Sequence, residues 1–117
     1  MSPSEVSSVL YRLLAYACGC LGQGVAPDMD GARKAVGTGP APFSGVLRMA
    51  CDAGLLTGIE WAGGPNPQPL PSPGWRLSLK GLEYLEEATL MRRSASPAAE
   101  SAVASAVAAT EARATGL

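Results

Sequence analysis

The sequence predicts a mainly α fold with a small β-hairpin: a winged helix-turn-helix of α-α-α-β-β-α order, followed by an Ala/Ser-rich C-terminal tail. Three observations carry this expectation. A helical stretch beginning at Phe43 is pinned at Gly54 and followed at once by the apolar pair Leu55 and Leu56, the way a recognition helix passes into a hairpin. A proline-filled segment between Trp61 and Trp75 has the composition of an extended wing. A short Trp75-Arg76-Leu77-Ser78-Leu79 run then leads into a helical Lys80 to Met91.

At the N-terminus Ser2 can cap, Pro3 suits the first helical position, and Glu5 stands where a capping box requires it. Val6, Val9, Leu10, Leu13, Leu14, Ala17 and Cys18 then recur at helical spacing as one buried stripe, leaving Ser7, Ser8, Arg12 and Tyr16 on other faces. Gly19, Gly22 and Gly24 weaken the helix beyond that point, and Pro27 marks a break. Asp28 or Asp30 caps a short second helix containing Ala32, Arg33, Lys34, Ala35 and Val36, ended by Gly37 and Gly39. The third helix starts near Pro40 or Pro42. It carries Phe43, Val46, Leu47, Ala50 and Cys51 on one face, with Ser44, Arg48 and Asp52 more exposed, and in a helix-turn-helix it is the groove-facing helix.

Pro65, Pro67, Pro69, Pro71 and Pro73 occupy every second position of the wing, and no charged residue lies between Trp61 and Trp75. Such a segment cannot donate a regular ladder of hydrogen bonds, so it is predicted to be a partly extended, polyproline-like loop with the two tryptophans packed near one another at its base. Ser78 caps the last helix, in which Leu82, Leu85, Thr89 and Leu90 or Met91 face the core while Glu83, Glu86 and Glu87 point outward. From Ser94 onward ten of the last 24 residues are alanine. With little beyond Val103 and Val107 to bury, this stretch is expected to be a frayed helix or a mobile tail. The chain thus divides into a winged-helix domain, 1–93, and a disordered or marginally helical tail, 94–117.

A chain of 117 residues suffices for one small domain with an appendage. Nine Lys and Arg against ten Asp and Glu leave a net charge of −1, so no chain-wide basic field drives nucleic-acid binding and any DNA contact must come from a local patch. Three cysteines without a histidine argue against a disulfide framework and for a reduced, cytoplasmic protein. Cys18 and Cys51 read as small core residues and Cys20, off the main stripe, as exposed. A structural zinc site needs four ligands, so no metal or other cofactor is expected. No run approaches the roughly 18 apolar residues of a membrane span. The Leu13 to Leu21 segment resembles a signal-peptide core, but Glu5 lies where a basic leader belongs. With no glycine-rich phosphate loop followed by Lys and no carboxylate pair singled out by spacing, an enzyme is the least expected class and no small-molecule substrate is evident.

Three blocks carry a family resemblance: Val9-Leu10-Tyr11-Arg12-Leu13-Leu14 with Cys20 and Pro27-Asp28 following, Asp52-Ala53-Gly54-Leu55-Leu56-Thr57-Gly58-Ile59, and Lys80-Gly81-Leu82-Glu83-Tyr84-Leu85-Glu86-Glu87 with Met91-Arg92-Arg93. Over about residues 6 to 93 the chain resembles the YjcQ family, small winged-helix proteins of phages and prophage regions. The last block is the most specific. The resemblance implies a winged-helix fold and a mobile-element setting, and it brings no reaction, ligand or functional residues with it. The proline-rich wing and the Ala/Ser tail depart from the family pattern.

Two functions follow as expectations. As a DNA-binding protein, a transcription regulator of phage type, the chain would approach double-stranded DNA with Arg33, Lys34, Ser44 and Arg48, with Arg76 and Lys80 adding backbone contacts. Asp28, Asp30 and Asp52 lie nearby and oppose this, and a merely solvated surface explains the same charges. As a protein-interaction module, an adaptor or inhibitor of a host protein, it would present Trp61, Pro65, Pro67, Pro69, Pro71, Pro73 and Trp75 to a partner, although prolines that only stiffen a loop and discourage edge pairing are the simpler reading. Self-association as a dimer fits either, because two-fold DNA sites match two-fold proteins.

Overall fold

In a computed structural model, which describes residues 2–65, 68–70, 74–91 and 97–115, the helices begin at the caps that the sequence marks. Helix α1 (Pro3–Gln23) starts on a complete capping box, with the Glu5 N–H donating to Ser2 Oγ and the Ser2 N–H to Glu5 Oε1, each at 3.3 Å. It runs through Gly19 and Gly22 instead of breaking there, and stops at Gly24, where the Val25 N–H donates to the Cys20 carbonyl at 3.0 Å. Asp28 is the cap of α2 (Met29–Val36), its carboxylate accepting from the Gly31 N–H at 2.6 Å. Helix α3 (Pro40–Asp52) opens on Gly39 with Pro40 in its first turn.

The exit from α3 positions everything that follows. Gly54 takes the left-handed conformation at φ 77°, so its own N–H reaches the Cys51 carbonyl and the Leu55 N–H reaches the Ala50 carbonyl. This turn reverses the chain directly into β1 (Leu56–Thr57). Strand β2 (Arg76–Leu77) pairs with it antiparallel, Leu56 opposite Leu77 and Thr57 opposite Arg76. Helix α4 (Leu79–Met91) follows at once: Ser78 Oγ accepts the Gly81 N–H at 2.9 Å and donates to the Gly54 carbonyl, tying the start of α4 to the end of α3. The protein is therefore mainly helical with one small two-stranded antiparallel sheet, in the order read from the sequence.

Leu13, Leu14, Phe43, Leu47 and Trp75 are enclosed at the centre, where α1, α3 and the hairpin base meet. Each such aliphatic side chain contributes about 1.5–3 kcal/mol by leaving water. Leu85 of α4 joins this core and Leu82 is half-buried, whereas the expected core positions Thr89, Leu90 and Met91 have side chains outside the described part. None of the described helices is long and apolar enough to cross a membrane.

Three expectations meet a different arrangement, and the tail, expected as a frayed helix or a mobile segment, takes a helical form. The tail is a helix, α5 (Pro97–Ala114), packed across α1 and α2. Its small residues permit close approach: Ala99 and Ala106 are fully enclosed, and a Cβ on Gly19 would lie 2.7 Å from Val107 Cγ2. Tyr16 is completely buried because α1 has partners on two faces, not one. The same second face encloses Cys20, while Cys18 and Cys51 are half-buried, the reverse of the burial expected for them. Finally, the two tryptophans go to different partners. Trp75 lies in the core with its ring 6.4 Å from that of Tyr16, and Trp61 lies half-buried against α3.

Candidate functional site

Helix α3 has an interior side of Phe43, Val46, Leu47 and Ala50, which leaves Ala41, Ser44, Gly45 and Arg48 toward the outside. The β1–β2 loop closes over this outer side by a second, smaller pairing. The Ala62 N–H donates to the Gln68 carbonyl at 2.9 Å and the Leu70 N–H to the Glu60 carbonyl at 2.8 Å, so Trp61 faces Pro69 between the two bonds. A residue in that position of an antiparallel pair donates no ladder bond, so proline is accommodated there without loss. The loop is thus hairpin-like at its base where a polyproline-like course is expected. Pro65 is exposed and Pro69 half-buried, while Pro67, Pro71 and Pro73 lie outside the described residues.

Between the loop and α3 lies an open groove of about 430 Å³, walled by Pro40, Ala41, Ser44, Gly45, Arg48, Trp61 and Gln68. Among the described wall residues Arg48 is the charged one. Its guanidinium sits 5.0 Å from the centroid of the Trp61 ring and pairs with Asp52 one helical turn on, at 3.4 Å. The ring face holds the guanidinium electrostatically and fixes its plane, so the helix and the loop are clamped by one cation. Arg33 of α2 is held in the same manner, 5.3 Å from the Phe43 ring centroid and 3.7 Å from Asp30.

The six polar residues expected to face DNA fall around α3. Arg33 lies over its first turn through Phe43, Ser44 and Arg48 are on its outer side, and Lys80 passes beside Gly54 at its C-terminal turn. Lys34 is exposed in the last turn of α2, and Arg76 is exposed on β2 with its guanidinium donating to the Gly74 carbonyl at 3.2 Å. Of the residues expected to present the wing to a partner, Trp61 and Pro69 line or adjoin the groove, but Trp75, at 1% exposure, is core and presents no surface. Among the described residues no group of His, Cys, Asp and Glu is arranged to hold a metal ion.

Sequence reasoning missed a second constellation beneath α5. Tyr16 Oη and Thr110 Oγ1 lie 2.6 Å apart in the interior, and Thr110 Oγ1 also donates to the Ala106 carbonyl. The Asp28 N–H donates to Tyr16 Oη at 3.0 Å. Arg113 closes the cluster with a bidentate grip on Asp28, Nε to Oδ2 at 3.0 Å and Nη2 to Oδ1 at 2.9 Å. Burial pushes the Tyr16 hydroxyl up to about 12, against the opposing hydrogen bond to Thr110. Burial would raise the Asp28 carboxyl too, but the Arg113 hydrogen bonds and the Gly31 N–H outweigh it and hold the group below its ordinary value. The signal available in the sequence is Asp28 as a cap residue; nothing points to its partner 85 positions away.

Comparison of the chain with family models, curated proteins and solved structures gave no match.

Proposed function

We propose that the chain is a small winged-helix protein of the YjcQ type that binds double-stranded DNA, with α3 in the major groove and the Trp61 loop as its wing, and that it regulates transcription in a phage or prophage setting. The observation that carries this reading is that three cations neighbour α3: Arg33 against Phe43 of its first turn, Arg48 on its outer side and Lys80 beside Gly54 at its end. From Met29 to Gly81 five cations stand against Asp30, Asp52 and Glu60, whereas the segment from Leu82 onward holds Glu83, Glu86, Glu87, Glu100 and Glu111 against three arginines. A chain of negative net charge thus carries its cations on the helix-turn-helix and wing, as a local patch requires. The outer residues Ala41, Ser44 and Gly45 are small, which lets the helix axis approach base edges closely. The exposed pair of Arg48 with Asp52 is worth about 0–1 kcal/mol, so exchanging the carboxylate for a phosphate or a guanine edge costs little.

The test is fluorescence anisotropy with mixed duplex fragments across a salt series, for the wild type and Arg48→Ala. If all five cations neutralise phosphates, affinity falls roughly 500-fold between 50 and 200 mM salt, and Arg48→Ala weakens binding and reduces the slope. Absence of binding at low salt sinks this reading.

A second reading is favoured by one observation, the apolar walls of the groove between α3 and the wing. Pro40, Ala41, Gly45 and Trp61 offer contact area without charge, which suits an adaptor or inhibitor that docks a protein segment there, or a second copy of the chain. The three free cysteines fit a reducing, cytoplasmic setting for either function.

A further inference from the structure

Helix α5 is attached to the rest of the molecule in an uneven way. Its enclosed residues are Ala99, Ala106 and Thr110, with Val103 and Val107 half-buried, so its apolar contribution is small for eighteen residues. An alanine-rich helix of this length is marginal by itself in water, and α5 depends on its seat to remain helical. The seat is specific all the same. Gly19 and Gly31 give the room that it needs: a Cβ on Gly31 would collide with Tyr16 Oη and Thr110 Oγ1. At the C-terminal half the cluster of Tyr16, Thr110, Asp28 and Arg113 fixes register and orientation.

That cluster is also where other elements are joined. The Tyr16 hydroxyl touches Thr110 of α5 and the backbone N–H and carbonyl of Asp28, while its ring meets Trp75, the residue that precedes β2. Asp28 in turn caps α2, the helix that carries Arg33 and Lys34. One side chain of α1 therefore contacts the strap helix, the cap of α2 and the base of the wing.

We propose that α5 is a separately openable strap whose docking is transmitted through Tyr16 to the α2 cap and to Trp75 at the base of the wing, so that whatever takes up α5 acts on the helix-turn-helix unit without touching it. Undocking removes the Arg113 partner of Asp28 and the Thr110 partner of Tyr16 together. The carboxylate that caps α2 is then free to turn to solvent, and the Tyr16 ring loses the hydroxyl anchor that sets it against Trp75. The coupling is carried by contiguous packed groups with a docked and an undocked arrangement, which is the physical requirement for two regions to influence each other. The inference concerns the conformation of the free protein and stands or falls independently of what α3 binds.

The experiment is amide hydrogen exchange on the full chain, with two variants confined to α5, Thr110→Val and Arg113→Ala, read together with tryptophan fluorescence and without DNA. The expected result is exchange at least tenfold faster across α5 in both variants, accompanied by faster exchange of the Gly31 N–H and a shift in Trp75 emission, while the Leu47 amide in the core of α3 keeps its protection. Unchanged α5 exchange in both variants overturns the latch. Faster exchange in α5 with Gly31 and Trp75 unaltered overturns the transmission, and equal acceleration at Leu47 overturns the separable strap by making α5 part of one cooperative unit.

Discussion

Tyr16 shows what the residue scale adds to a helical wheel. Its position off the main apolar stripe is legible in the sequence, but its burial is not, because the wheel assigns α1 a single partner and the fold gives it two. Its titration has a definite sign. The neutral hydroxyl is favoured in the fold, so its contribution to stability is fully present below the unfolded value of 10.0 and is lost as pH rises toward about 12. An ultraviolet absorbance titration followed by circular dichroism should find one tyrosine ionising late and helicity falling with it; early ionisation of all three with the fold intact would contradict the buried assignment. Removing the hydroxyl in Tyr16→Phe strips Thr110 and the Asp28 N–H of a partner, and chemical denaturation should register a loss of about 1–3 kcal/mol. The cysteines make the same point about faces. Burial raises the Cys20 and Cys51 thiols, and Cys20, fully enclosed, should be the slowest of the three to react with a thiol reagent in the native protein.

At the scale of elements, chain ends were the most legible feature. Ser2 with Glu5, Asp28 and Ser78 act as caps because a short acceptor before an apolar repeat has few other uses, and Gly24, Gly37 and Gly54 end helices because they tolerate the left-handed backbone. Ser78 does more than cap: it also binds the Gly54 carbonyl, so Ser78→Ala should cost about 1–2 kcal/mol in denaturant melts, and a change within error would show that water replaces both bonds. What the sequence hid were contacts between distant segments. The β1–β2 loop pairs at Trp61 and Pro69 in a register, invisible in one chain, that leaves that proline without a missing bond. The sequence left open whether the tail docks as a helix because apolar area is a poor guide to docking by close approach and a buried polar cluster. Its seat should depend on acid. The Asp28 carboxyl is faced by Arg113 from α5 and by Tyr16 and Cys20 from α1, with Asp30 acting on the same arginine, and its depressed value means that its contribution is present above about pH 4 and is lost as pH falls through the folded value. Exchange protection of α5 should be level from pH 5 to 8 and decline below pH 4, ahead of α3.

Among the described residues the cations near α3 include Arg33 and Arg48, each beside an aspartate, while α4 beyond Lys80 and α5 carry five glutamates and Arg113; the DNA reading depends on this local excess of cations and not on the net charge of −1. There is no histidine, and every described side chain whose titration the fold clearly moves is moved away from neutrality: Glu5 and Asp28 downward, Tyr16, Cys20, Cys51 and Arg113 upward. DNA affinity measured at pH 6 and pH 8 in equal salt should accordingly agree within about twofold, since the cations around α3 are arginine and lysine and the chain has no histidine; a larger difference would point to a titrating group at the interface that the cations around α3 do not explain. The candidate DNA face, whose cations are lysine and arginine in a chain without histidine, is in this sense deaf to proton activity in the range where cells vary it. Ionic strength is the variable to which a face of that composition answers.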